Sequence, residues 1–129
     1  MDLKDYFETH TGFGVLSTAD GSGKVDAAVF ARPHVLGVDT VAFIMGDKLT
    51  HANLEVNPRA AYLFREDPGE GSARYEGVRL FLTKTDEESD PEKIAALRRR
   101  AYGDPHATRY LVTFRVDEAL PLVGPGDDA

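Results

Sequence analysis

Lys48, Thr50 and Asn53 lie close together in the stretch MGDKLTHANLEVNP, which runs from Met45 to Pro58. An ammonium, a hydroxyl and a helix start brought this near to one another have a common chemistry, the holding of an anion. Thr50 suits the N-cap of the helix HANLEVN. The first-turn N–H groups that no carbonyl reaches would then converge with the Thr50 hydroxyl and the Lys48 ammonium on one charge. This is a phosphate site in outline. The same residues also suit a capped helix that only connects two strands and carries a surface lysine. On local grounds both readings stay open.

Other chemistries find less support. The histidines His10, His34, His51 and His106 are too dispersed for a local metal motif such as H-E-x-x-H, so no metal site is assigned. None of Ser17, Ser22, Ser72 and Ser89 lies in G-x-S-x-G, and GSG is explained by a hairpin turn. The chain has no cysteine, which removes disulfides, thiolate catalysis and Cys-based metal sites. In GFGVLS the G-x-G precedes a strand, whereas a dinucleotide fingerprint follows one. Arg98 to Arg100 fan out around a helix by about 100° per residue, near a C-terminus where cations complement the dipole. They read as a solvated helix end. No catalytic residue is assigned.

The elements that must position these groups follow from periodicity. At 129 residues, 42% hydrophobic and 29% charged, the chain reads as one soluble globular domain over 1–129. No apolar run approaches the roughly 20 residues of a membrane-spanning helix. The start, MDLKDYFETH, lacks the basic opening and apolar stretch of a secretory signal, so a cytoplasmic location is expected. With 22 acids against 15 bases the formal charge is −7, which repels a phosphodiester backbone and argues against nucleic acid as the general partner.

Leu3, Tyr6 and Phe7 share one face of a short helix ending at Thr9. GFGVLSTA reads as a strand, and the turn DGSGK joins it to a second, VDAAVFARPHV, whose Ala28, Phe30 and Arg32 fall on one face. VAFIM is a third strand, RAAYLFRE a fourth after the helix, and YEGVRLFLTKTDEE a long fifth, reached through a loop rich in glycine and acids, DPGEGSA. In SDPEKIAALRRRAYG, Asp90 is the N-cap, Pro91 the first helical residue and Gly103 the stop. TRYLVTFRVDEALPLVG is a sixth strand, with Tyr110, Val112, Phe114 and Val116 alternating against Leu111, Thr113 and Arg115. PGDDA, 125–129, reads as a frayed tail. Antiparallel strands joined by turns, with short flanking helices, predict a mainly β fold, a six-stranded antiparallel barrel.

A strand containing ARP, then VAFIMGDKLTHANLEVNPRAAYLF, a long strand with GVRL, a charged helix and a last strand ending LPLVG resemble the pyridoxamine 5′-phosphate oxidase-like FMN-binding split barrels over nearly the whole chain. The most specific part is Thr50, Asn53, Leu54, Asn57 and Pro58, which is similar to that family's K-T-x-x-N-L-x-x-N-P pattern. The resemblance implies a split-barrel homodimer with FMN in clefts at the subunit interface and a small-molecule redox partner. It implies that Lys48, Thr50 and Asn53 serve the phosphate, that Arg32 is a second cation, and that Met45 and Gly46 pass their backbone near the ring or ribityl chain. Leu49, counted with the cofactor site, stands where the pattern has lysine, with Lys48 one position earlier. The oxidases themselves end in an R-L-x-P type segment where this chain has LPLVGPGDDA, so pyridoxamine phosphate oxidation is not implied. The expected function is that of an FMN-dependent oxidoreductase. The rivals are a non-catalytic flavin carrier or electron-transfer module, or a split barrel for haem or a deazaflavin.

Overall fold

The computed structural model describes residues 1–69, 75–99, 103–104 and 106–124. The elements run α1 (Leu3–Thr9), β1 (Gly12–Ala19), β2 (Val25–Val29), β3 (His34–Gly37), β4 (Thr40–Gly46), α2 (Leu49–Val56), β5 (Arg59–Glu66), β6 (Gly77–Glu88), α3 (Pro91–Leu97) and β7 (Arg109–Pro121). The strands form one antiparallel sheet in the order β2-β1-β5-β6-β7-β4-β3.

The two edge strands, β2 and β3, are consecutive in the chain. From Val29 to His34 the backbone can reach at most roughly 18 Å. The sheet must therefore curl until its edges approach, which gives a barrel that is split at that seam. The fold is mainly β with three short helices among the described residues.

The single second strand expected over Val25–Val35 is two strands here. Pro33 has no N–H to give to a ladder, and the groups around it are engaged elsewhere. Phe30 N–H donates to the Gly14 carbonyl at 3.0 Å, and Tyr62 Oη donates to the Phe30 carbonyl at 3.1 Å. Arg99 Nη1 and Nη2 donate to the carbonyls of Arg32 and Pro33 at 2.7 and 3.0 Å. With these bonds made, 30–33 is a link and the strand count rises to seven.

Alternation places the core on one face. Leu16, Tyr62 and Leu80 lie opposite one another across β1, β5 and β6 and are fully buried, as are Phe64, Leu82, Val112 and Phe114 nearby. Burial of each such side chain stabilises by about 1.5–3 kcal/mol. From α1, Phe7 meets Phe64 edge-on at a centroid distance of 5.3 Å. From α2, Leu54 enters the same core. On the other face of β4, Ala42 packs with Ile94 of α3 and Leu111.

Asp90 caps α3 as expected, its Oδ1 accepting from Glu92 N–H at 3.0 Å, with Pro91 at the helix start. The helix ends at Leu97 and not at Gly103, because Arg98 is already extended (φ −65°, ψ 127°) and Arg99 turns toward the β2–β3 link. The expected tail over 125–129, and part of the loop 67–73, lie outside the described residues.

Candidate functional site

On its β3 side, β4 is paired only from Thr40 to Ala42, so Phe43–Gly46 meet no strand there among the described residues. Across this opening stands the link that follows β2. Between them lies a cleft of about 910 Å³, lined by 29–32, 43–48 and residues from the chain beyond α3 and the start of β7. That volume is within the range of small-ligand sites. The open β4 edge offers backbone N–H and C=O groups at alternate positions. Phe30 and Phe43, edge to face at 5.8 Å, form its apolar wall.

Charge in the cleft runs against that of the chain. Among the described residues five cationic side chains line it, Arg32, Lys48, Arg98, Arg99 and Arg109, with Asp47 as the single carboxylate. Arg32 Nη1 donates to the carbonyls of Phe7 and His10 at 2.7 and 3.1 Å, which closes the C-terminus of α1. Arg99 is held by the two carbonyls already named. Neither guanidinium forms an ion pair with a carboxylate among the described residues. Burial, and then the like charge of Arg32, push the Arg99 pKa down. Burial first and Arg99 second push His34 below its ordinary value, which keeps its imidazole neutral at pH 7.

Strand register divides these groups between two poles. Arg109 lies opposite Gly46, two residues before Lys48, whereas His34 lies opposite Ala42. Four residues of strand separate Ala42 from Gly46, roughly 13 Å. One pole thus has Lys48, Arg109 and the start of α2. The other has His34, Arg99 and Arg32.

Of the residues expected at the site, Arg32, Met45, Gly46 and Lys48 line the cleft, while Leu49, Thr50 and Asn53 do not. Arg32 belongs to the link and not to a strand. Leu49 is exposed and Thr50 is buried, at 6% exposure. The expected Thr50 cap is not formed. α2 begins two residues earlier, with Lys48 as an N-cap that makes no side-chain bond, so its first-turn N–H groups lack a side-chain acceptor. Asn53 Nδ2 donates to the buried Thr18 Oγ1 at 3.1 Å, tying α2 to β1. Arg98 and Arg99, read from sequence as a solvated helix end, are cleft residues. Phe43 and Arg109 carry no local motif, while His34 enters the sequence reading only as a dispersed histidine and Phe30 only as the neighbour of Arg32 on one strand face. The only sequence signal available for the arginines was a basic run within an acidic chain.

Beside the cleft, α2 is anchored by His51, whose ring stacks on Tyr110. Its Nε2 lies 2.7 Å from Glu87 Oε1, which also accepts from Lys84 Nζ at 2.8 Å. Its Nδ1 faces Glu55 at 3.4 Å and Asp47 at 3.8 Å. The described residues contain no cluster of His, Asp and Glu fit to hold a metal ion, and no helix long and apolar enough to cross a membrane.

The chain has the fold of the split barrels it resembles in sequence. An FMN-binding protein from Syntrophomonas wolfei subsp. wolfei is similar at a TM-score of 0.76 and 19% identity, covering 95% of this chain and 85% of that one. An F420 reductase is similar at 0.64 and 17%, covering 90% and 94%. A candidate pyridoxamine 5′-phosphate oxidase from Lactobacillus delbrueckii is similar at 0.64 and 16%, covering 90% and 88%. At these identities the likeness is one of fold. No protein-family model matches the sequence, and no curated protein does.

Proposed function

We propose that the protein is an FMN-binding oxidoreductase whose cofactor lies in the split of the barrel. The observation that carries this reading is the cleft itself, whose described lining has five cations against one carboxylate in a chain of charge −7. A dianionic phosphate on a flat, hydrogen-bonding ring system matches a basic pole joined to an open strand edge. The S. wolfei protein, described as FMN-binding, supports the same choice.

In this reading Lys48 and the first-turn N–H groups of α2 hold the phosphate, each charge-assisted bond contributing about 1.5–3 kcal/mol. Thr50 contributes its backbone N–H from inside that turn, and Leu49 stands at its edge. Asn53 acts indirectly, by fixing α2 on β1. Met45 and Gly46 present backbone groups along the ring or ribityl chain, and Arg32, immobilised by α1, adds a cation at the opposite pole of the cleft. Phe30 and Phe43 exclude water from one side. FMN, when bound, supplies the redox chemistry, and the protein supplies binding and electrostatic tuning.

The homodimer belongs to the same proposal. Val29, Val15 and Leu63 lie in one row across the outer face of β2, β1 and β5, and Phe81 of β6 lies diagonally beside Leu63. Val25, Val29, Leu63 and Phe81 are all exposed. Adjacent apolar side chains on an open sheet face favour burial against a second copy.

The test is the visible spectrum of freshly purified protein, with the released chromophore identified by mass. FMN is the expected result. A deazaflavin, which the likeness to an F420 reductase makes the second reading, would replace the cofactor assignment. Protein that is colourless and takes up no FMN would refute the reading.

A further inference from the structure

The phosphate accounts for only part of the charge in the cleft. The phosphate pole is served by Lys48, whereas Arg32 and Arg99 line the cleft at the other pole, toward His34. The remainder is concentrated around Arg99. Two of its five N–H groups are engaged by the carbonyls of Arg32 and Pro33, at 2.7 and 3.0 Å, which fix the guanidinium plane. Three donors remain. No carboxylate among the described residues pairs with Arg99 or with Arg32.

A partly desolvated guanidinium that feels a second cation is costly unless an anion joins it. A structural role would satisfy Arg99 through its two carbonyls, but a neutral donor such as glutamine could bond a carbonyl there without the repulsion from Arg32. The charge itself therefore calls for a partner. His34, on the strand register next to this pair, lines the same part of the cleft. Its neutral imidazole can donate or accept a hydrogen bond without adding charge.

Resting on the flavin reading above, we infer that Arg99 and His34 form a second anion subsite that receives the carboxylate of an organic substrate, about 13 Å along β4 from the phosphate pole. A planar oxyanion suits the fork of a fixed guanidinium, and this distinguishes the pole from the point charge of Lys48. The substrate class is thus a small carboxylic acid, bound with its anionic group away from the cofactor's phosphate.

The test uses flavin-loaded protein titrated with benzoate and with benzamide, its uncharged analogue of similar shape, followed by the flavin absorption band. The side-chain Nε–H resonance of Arg99 is followed in parallel in ¹⁵N-labelled protein. Benzoate should bind saturably, at least tenfold tighter than benzamide, and move the Arg99 resonance. Arg99→Gln should weaken benzoate tenfold or more with the FMN dissociation constant changed by less than threefold. Arg99→Lys, which keeps the charge and guards against misfolding, should lose about threefold for benzoate. Equal binding of benzamide, a still Arg99 resonance, or benzoate affinity unchanged in both variants would overturn the inference while leaving the flavin reading intact. Loss of FMN in Arg99→Gln would overturn it too, by assigning Arg99 to the cofactor's phosphate. Protein that takes no flavin but whose Arg99 resonance still answers benzoate and not benzamide would refute the flavin reading and support the anion subsite.

Discussion

The imidazole of His51 lies flat on the ring of Tyr110, with centroids 3.7 Å apart and planes 5° from parallel. This contact joins the first turn of α2 to the start of β7, and so joins the elements that carry Lys48 and Arg109. His51 is 2% exposed and holds Glu87 at 2.7 Å. His51→Ala should therefore lower the unfolding free energy by roughly 1–3 kcal/mol, read by urea denaturation, and should weaken FMN several-fold because the helix start loses its anchor. Lys93→Ala, on an exposed ion pair with Glu88, is the control and should change both by little. Equal behaviour of the two variants would remove His51 from the account.

Acid stability should report the same cluster. Burial pushes the Glu87 carboxyl up, but hydrogen bonds from Lys84 and His51 outweigh it and hold its pKa below the ordinary 4.5. A folded pKa below the unfolded one means a contribution that is present above the unfolded value and lost as pH falls through the folded one. Between about pH 5 and pH 3 the wild-type protein should lose more stability than Glu87→Gln. Thermal melts across that range check it, and parallel curves would contradict it.

Lys48 separates stability from binding. It occupies an N-cap in the extended region (φ −130°, ψ −169°) but makes no capping bond. Lys48→Ser supplies a capping hydroxyl and removes a cation from the cleft. Stability should rise by roughly 0.5–1 kcal/mol while FMN affinity falls about tenfold. Opposite signs in denaturation and flavin titration are the expected outcome. A fall in both would mean that the lysine supports the helix itself.

The outer sheet face predicts association. Phe81→Glu places a charge on that face without touching the inward row of Leu80 and Leu82. Sedimentation should show a dimer for wild type at micromolar concentration and a monomer for the variant, with cooperative unfolding retained. A wild-type monomer that still held flavin tightly would rule the dimer out as a requirement.

Much of this was legible in the sequence because the signals were local. Asp20, whose Oδ1 accepts from Ser22 N–H and Lys24 N–H at 2.8 and 3.0 Å, makes the β1–β2 turn that DGSGK announces. α1, β1, β5 and the Asp90–Pro91 helix start were likewise fixed by capping and alternation. What could not be read depends on partners far along the chain. The bond between Arg99 and the carbonyl of Arg32 spans 67 positions, and no helical periodicity reveals that the arginine leaves its helix to make it. The same bonds, with Tyr62 on Phe30, divide one expected strand into two. Thr50 had the composition of a cap, but α2 starts two residues sooner and takes Thr50 into its buried first turn.

In the proposed function, the split of the barrel holds a flavin by its phosphate. Isothermal titration of flavin-free protein with FMN and with riboflavin measures this directly, since the two ligands differ only in that group. FMN should bind at least tenfold more tightly, as one or more charge-assisted bonds of about 1.5–3 kcal/mol require. Equal affinity for the two, or none for either, would contradict it.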